Sequence, residues 1–138
     1  MAATGRHGSR RLLVQALYQH QLAGHGAAEL LNQFSQEKDF ARVDVDYFRS
    51  LLGEILADRA GLDDLIAGDA DRPLAQLDPV EHAVLWLGLA ELRGHPEVPV
   101  KVVIAEAVQL AREFGATDGH RYVNALLDRA AGRLRPAA

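Results

Sequence analysis

Apolar residues recur at three- and four-residue intervals along almost the whole chain, the spacing of one face of an α-helix. Between Arg10 and Ala23, Leu13, Ala16, Leu17 and His20 share a face flanked by Val14 and Tyr18, and Gly24 and Gly26 then stop the helix. A short helix over Ala28 to Ser35 uses Leu30, Leu31 and Phe34. From a cap at Asp44 or Asp46, the residues Phe48, Leu51, Leu52, Ile55, Leu56 and Leu62 predict one long helix ending near Gly68, before Pro73. The clearest start signal is Asp78-Pro79-Val80-Glu81: an acid at the N-cap, proline at the first helical position, and Glu three residues after the cap to complete a capping box. The helix it opens is apolar almost all round, from Val80 through Trp86 to Leu92, and such a helix belongs at the centre. His95-Pro96 and Pro99 confine the next link, Val100 to Phe114 is helical, and Gly115 ends it. Numbered from Thr117, a last helix buries Val123, Leu126, Leu127, Ala130 and Leu134. The β-branched cluster Val98 to Ile104 contains Pro99 and lacks alternation, so no strand is expected. The expected fold is all-α: six to seven helices in one domain over residues 1–138. An N-terminal bundle of about 1–72 and a C-terminal one of about 73–138 would be arranged around the central apolar helix.

A chain of 138 residues with 49% hydrophobic content can bury the core this pattern requires, and leaves no room for a second catalytic domain. It has no cysteine, which removes disulfides and thiolate metal sites. The polar opening MAATGRHGSR is no signal peptide, and Val80 to Leu92, interrupted by Glu81, His82 and Glu91, is too short to span a membrane. A cytoplasmic protein is expected.

The net charge of -4 hides a segregation. Residues 1–28 carry Arg6, Arg10 and Arg11 and no acid, and from 118 onward Arg121, Arg129, Arg133 and Arg135 outnumber Asp118 and Asp128. The middle is acidic. If the first and last helices lie side by side, their arginines form one strip that collects phosphates; if not, they are solvated basic tails.

Motifs for chemistry are scarce. His7, His20, His25, His82, His95 and His120 show neither HExxH nor a two-cluster spacing, so no metal and no cofactor is expected. Gly24-x-Gly26 lacks the third glycine of a dinucleotide loop, and no phosphate-binding P-loop occurs. Ser9, Ser35 and Ser50 sit in no nucleophile elbow, and the acid pairs Asp63-Asp64 and Asp69-Asp71 are explained by capping and solvation. The expectation is a protein without catalysis. Tyr122 lies off the buried stripe with Asp118, Ala125 and Arg129. Its ring can stack on an unpaired base, or cap the core edge with its hydroxyl in water. Tyr18 reads as edge packing, Glu81 as the closing residue of the capping box, and Trp86 as core.

From about Arg10 to Ala131 the chain resembles the NusB family of bacterial transcription antitermination factors. The C-terminal third carries most of the likeness: Pro99-Val100-Lys101-Val102-Val103-Ile104, Glu106-Ala107-Val108, then Phe114-Gly115 through Asp118, His120, Val123-Asn124 and Leu127-Asp128. Val14-Gln15-Ala16-Leu17-Tyr18, Asp46-Tyr47-Phe48, Val80-Glu81 and Ala83-Val84-Leu85 support it. The resemblance implies two small helical bundles, no catalysis, and binding of boxA RNA together with NusE, the ribosomal small-subunit protein, within the RNA polymerase antitermination complex at ribosomal RNA operons. It implies that Tyr122, at a position where the family usually has phenylalanine, meets RNA, with Asp118 a turn before it, and that Arg6 and Arg10 belong to a basic region that approaches phosphates; the charge pattern adds Arg11 and Arg121 to the expected RNA-binding set. Tyr18 and Glu81 would face the protein partner. The chain departs from the family pattern in an arm, GRHGSRR, that is less arginine-dense, in Gly119 for a common serine, in Ala105 for a common asparagine, and in Trp86 where a basic residue is frequent. The alternative is a helical protein-interaction module that binds no RNA, like the NusB-like domain preceding the catalytic part of certain ribosomal RNA methyltransferases. No methyltransferase domain is attached here, which favours the free factor. Monomer and homodimer both remain open.

Overall fold

In the computed structural model, which describes residues 3–136, each segment with helical apolar spacing is helical, and the differences from expectation lie where helices begin and break. Two compact units form, Met1–Ala57 and Asp58–Ala138. Seven α-helices and two short 3₁₀ turns account for the described residues, and the sole bridge among them is an isolated one between Gly5 and Val43.

The N-terminal unit holds α1 (Gly5–Ala23), α2 (Ala27–Phe34), a 3₁₀ turn at Phe40–Arg42, and α3 (Val45–Ala57). Helix α1 begins five residues before the expected start, so most of the basic arm is its first two turns. Its opening is tied down from outside the helix. The Ser9 hydroxyl donates to the Asp44 carbonyl at 2.6 Å, and the Asp44 N–H donates to the Gly5 carbonyl at 3.0 Å. Gly24, at φ 74°, ends the helix as expected, its N–H donating to the His20 carbonyl. Of the two candidate caps for α3 it is Asp44 that acts, accepting the Tyr47 N–H at 3.1 Å. Leu13, Leu17, Leu30, Leu51, Leu52 and Ile55 close around Phe48, all fully buried. The Phe48 ring meets Phe40 edge-on at 5.7 Å between centroids and lies 6.0 Å from Phe34.

The C-terminal unit holds α4 (Arg59–Asp69), a 3₁₀ turn at Leu74–Gln76, α5 (Pro79–Gly94), α6 (Val100–Phe114) and α7 (Gly119–Leu134). The single long helix expected from Asp44 to Gly68 is therefore two. Asp58 breaks it: its backbone leaves helical geometry and its carboxylate accepts the Gly61 N–H at 3.2 Å, capping a new helix. The boundary between units falls at this break and not near residue 72, so α4 belongs with the C-terminal helices.

Helix α5 starts as its sequence dictates, with the Asp78 carboxylate accepting the Val80 and Glu81 N–H groups at 2.8 and 3.3 Å. Every residue from Ala83 to Leu92 on it is buried. Trp86 is core, 4% exposed, and its indole N–H donates to the Asp63 carboxylate at 2.8 Å. His82 Nε2 reaches the same oxygen at 2.6 Å. Asp63 is thus an internal acceptor on α4, not the helix-end acid expected of it. A Cβ on Gly88 would come 2.8 Å from Leu127 Cδ1, so the glycine is what lets α7 lie this close to α5.

Candidate nucleic-acid interface

The start of α7 is built against the start of α5. Glu81 is only 6% exposed, and its carboxyl group lies against Gly119, the first residue of α7. A Cβ at position 119 would collide with that carboxylate and come 2.8 Å from its Cδ, so the Glu81 side chain would have to shift for any larger residue there. With Gly119 committed to this close approach, the turn falls on the residue before it. Asp118 takes φ 68°, the only positive φ of a non-glycine residue described, in the left-handed region that a short polar side chain tolerates.

Glu81, which the resemblance implies faces a protein partner, is buried beneath α7 and supports the turn that carries Asp118. Burial pushes its carboxyl above the usual 4.5, Asp78 pushes the same way, and the Arg72 guanidinium opposes them. A raised carboxyl contributes stability that is complete below 4.5 and is lost as pH rises through the folded value. Glu81→Gln is therefore expected to flatten the fall in stability as pH rises above 4.5, measured by chemical denaturation at several pH values. An unchanged slope in the variant would contradict the assignment.

Tyr122, one turn into α7, is half-buried, and its ring is covered: the Arg72 Cζ stands 4.2 Å from the ring centroid. Its hydroxyl is not in water. The oxygen is buried with no hydrogen-bond partner among the described residues, and burial, reinforced by Asp71 and Glu81 against Arg72 and Arg129, raises the phenol above 10. The group stays protonated at neutral pH. Arg121 lies at the surface with its side chain 78% exposed, 3.6 Å from the Asp118 carboxylate, which is 66% exposed. The structure thus brings Asp118, Arg121 and Tyr122 together and adds Arg72.

The remaining C-terminal arginines are engaged within their own unit, although Arg129 and Arg133 stay exposed. Arg129 donates to the Asp69 carbonyl at 2.7 Å and Arg133 pairs with the Asp69 carboxylate, so both hold the C-terminus of α4. Arg135 donates to the carbonyls of Glu91, Leu92, His95 and Val98, capping the end of α5.

In the N-terminal unit Arg10, expected to approach phosphates, is 4% exposed, its Cζ 5.6 Å from the centroid of the buried Tyr47 ring. Arg6 covers the same ring at 4.1 Å and lies 3.6 Å from Asp44, yet keeps 44% of its side chain exposed. Arg11 lines an open cleft of about 230 Å³ together with Leu12, Glu37, Lys38, Asp39 and Phe40. Tyr18 is 39% exposed, and Leu22, one turn further on the same helix, is 62% exposed. Together they form an apolar pair facing outward.

Sequence reasoning missed Arg72 because it sits in a loop, fifty residues from the ring it covers, and a through-space stack has no period. Among the described residues no three His, Asp or Glu side chains come together in a way that could hold a metal ion, and no helix is long and apolar enough to cross a membrane.

Fold and site together define an all-helical protein whose charged and aromatic chemistry lies on open helix faces and turns. The NusB family model matches residues 7–132, and the chain belongs to the NusB family. It is 44% identical to the transcription antitermination protein NusB of Shewanella halifaxensis over 135 residues, 98% of this chain and 100% of that protein. To the protein of the same name from Pseudomonas entomophila it is 46% identical over 132 residues, 96% of this chain and 80% of the relative. The solved structure of T. maritima NusB superposes with a TM-score of 0.81 at 26% identity, covering 95% of this chain and 92% of that one.

Proposed function

We propose that this chain is a transcription antitermination factor that binds boxA RNA together with NusE and acts within the RNA polymerase antitermination complex, in the cytoplasm, to keep transcription of ribosomal RNA operons processive. The observation that carries the reading is similarity along 98% of the chain to a protein that bears the antitermination name. The chemistry at the start of α7 suits it: a planar aromatic and guanidinium pair beside the exposed Arg121 offers stacking and charge to an unstacked base and its phosphate. In the N-terminal unit, Arg6 and Arg11 supply charge, and Tyr18 with Leu22 offers an apolar contact for NusE. Each contact is modest, and a partner that also touches the RNA raises the effective concentration of the second contact without altering the first. No step requires covalent chemistry.

Tyr122→Ala is expected to cost about 1 to 3 kcal/mol of RNA binding while helicity is kept, read by titrating a labelled boxA RNA and recording circular dichroism. Unchanged affinity, or loss of helix, would count against the assignment.

A further inference from the structure

Three separate features fix the place of Arg72. Pro73 follows it and biases its backbone toward an extended conformation, in the link between α4 and the 3₁₀ turn at Leu74–Gln76. Its Nε donates to the Asp71 carboxylate at 3.2 Å, and its Cζ lies 4.2 Å from the centre of the Tyr122 ring. The side chain is nevertheless 43% exposed, so the guanidinium covers the tyrosine ring while remaining open to solvent. A base approaching that face of Tyr122 meets Arg72 first.

We propose that Arg72 is the base-stacking surface of this site and that Tyr122 is the residue that positions it. The inference rests on the RNA-binding reading above. A guanidinium is planar and weakly hydrated, and stacks on aromatic faces, nucleobases included, with its N–H groups left free at the edge for phosphate or base oxygens. Seated on Tyr122 and held by Asp71, it loses little freedom when a base of single-stranded RNA closes over it. The order would be tyrosine, arginine, base. Arg121 and Asp118, at the edge of the same turn, remain available to the adjoining nucleotide.

The test compares the full chain with Arg72→Ala, Arg72→Lys, Tyr122→Ala, Tyr122→Phe and the double alanine variant. Each is titrated against labelled boxA RNA and a scrambled RNA at two salt concentrations, with melting curves to show that each variant is folded. Arg72→Ala and Tyr122→Ala are each expected to weaken selective binding on the order of tenfold, and the double variant no more than either alone, because both remove one stack. Tyr122→Phe should bind as the parent does. Arg72→Lys should keep the salt dependence but not recover the affinity, because an ammonium cannot stack as a plane. Parental affinity in Arg72→Ala beside weakened Tyr122→Ala would overturn the inference and leave the RNA reading standing, with the base directly on the tyrosine. Full recovery by Arg72→Lys would overturn it in favour of a charge contact. If the parent itself shows no selectivity, the RNA reading fails and the inference falls with it.

Discussion

Phe48→Ala is expected to destabilise the N-terminal unit by about 3 to 5 kcal/mol, the largest effect of any single change considered. The ring is fully buried, packed between Phe34 and Phe40 and surrounded by leucines from α1, α2 and α3. Removing it forfeits both the transfer free energy of the side chain and the contacts of everything that lined it, because close-packed neighbours collapse only partly into the space. Two units also make the reading sharper. Chemical denaturation followed by the single tryptophan, Trp86, reports on the C-terminal unit, whereas far-ultraviolet dichroism sees the helices of both. Early loss of part of the dichroism in Phe48→Ala, or a lowered midpoint shared by both signals, supports the account. A midpoint shifted by less than about 1 kcal/mol would show that Phe48 is not the keystone of this core.

The second large effect is expected from a residue that charge counting had assigned to phosphates. Arg135→Ala should cost about 2 to 3 kcal/mol of stability. Its Nε donates to the Leu92 carbonyl at 2.9 Å, Nη1 to Val98 at 2.5 Å, and Nη2 to both Glu91 and His95 at 2.8 Å. The last turn of any helix leaves carbonyls without an intrahelical partner, and here one guanidinium satisfies those of α5 and of the link that follows. Losing it leaves the Leu92 and Val98 carbonyls to find water, whereas those of Glu91 and His95 keep the N–H groups of His95 and Val98, so the cost is not additive over four bonds. Arg135→Lys should recover only part of the loss, since an ammonium on a flexible stem cannot fork to four carbonyls. Melting temperatures of the two variants decide the point: a lysine variant as stable as the parent would mean that charge alone suffices there.

Local signals were legible in the sequence wherever a short stretch of chain decided the outcome. Asp78-Pro79 gave the start of α5 to the residue, Gly24 and Gly115 gave two helix ends, and the stripe Val123, Leu126, Leu127 and Ala130 is buried as its spacing predicts. The break at Asp58 was not legible. Ile55 and Leu62 keep the seven-residue interval of one continuous face across it, and no proline or glycine stands at the break itself. What decides there is the carboxylate of Asp58 reaching the Gly61 N–H, a capping contact that an exposed Asp within a helix could equally have lacked.

The site shows the same division. Tyr122 off the apolar stripe was readable from helical geometry alone. Which arginine does what was not, because a charge count treats Arg10, Arg121 and Arg135 alike. The fold makes one buried against Tyr47, one exposed beside Asp118, and one a helix cap. Those outcomes depend on contacts 37 or more residues apart in the case of Arg135 and on the Tyr47 ring in the case of Arg10, and periodicity carries no trace of them. Glu81 is the instructive case. The capping motif placed it correctly on α5, but only the approach of Gly119 shows that its carboxyl is spent beneath the next helix start.

The central claim, that this member of the NusB family is an RNA-binding adaptor that works jointly with NusE, is tested most directly by titrating labelled boxA RNA against a scrambled control. The titration is run with and without NusE, at two salt concentrations. The account predicts selective binding that weakens as salt rises and tightens when NusE is present. Equal affinity for both RNAs under every condition, with NusE bound all the same, would contradict it and leave a protein-interaction module.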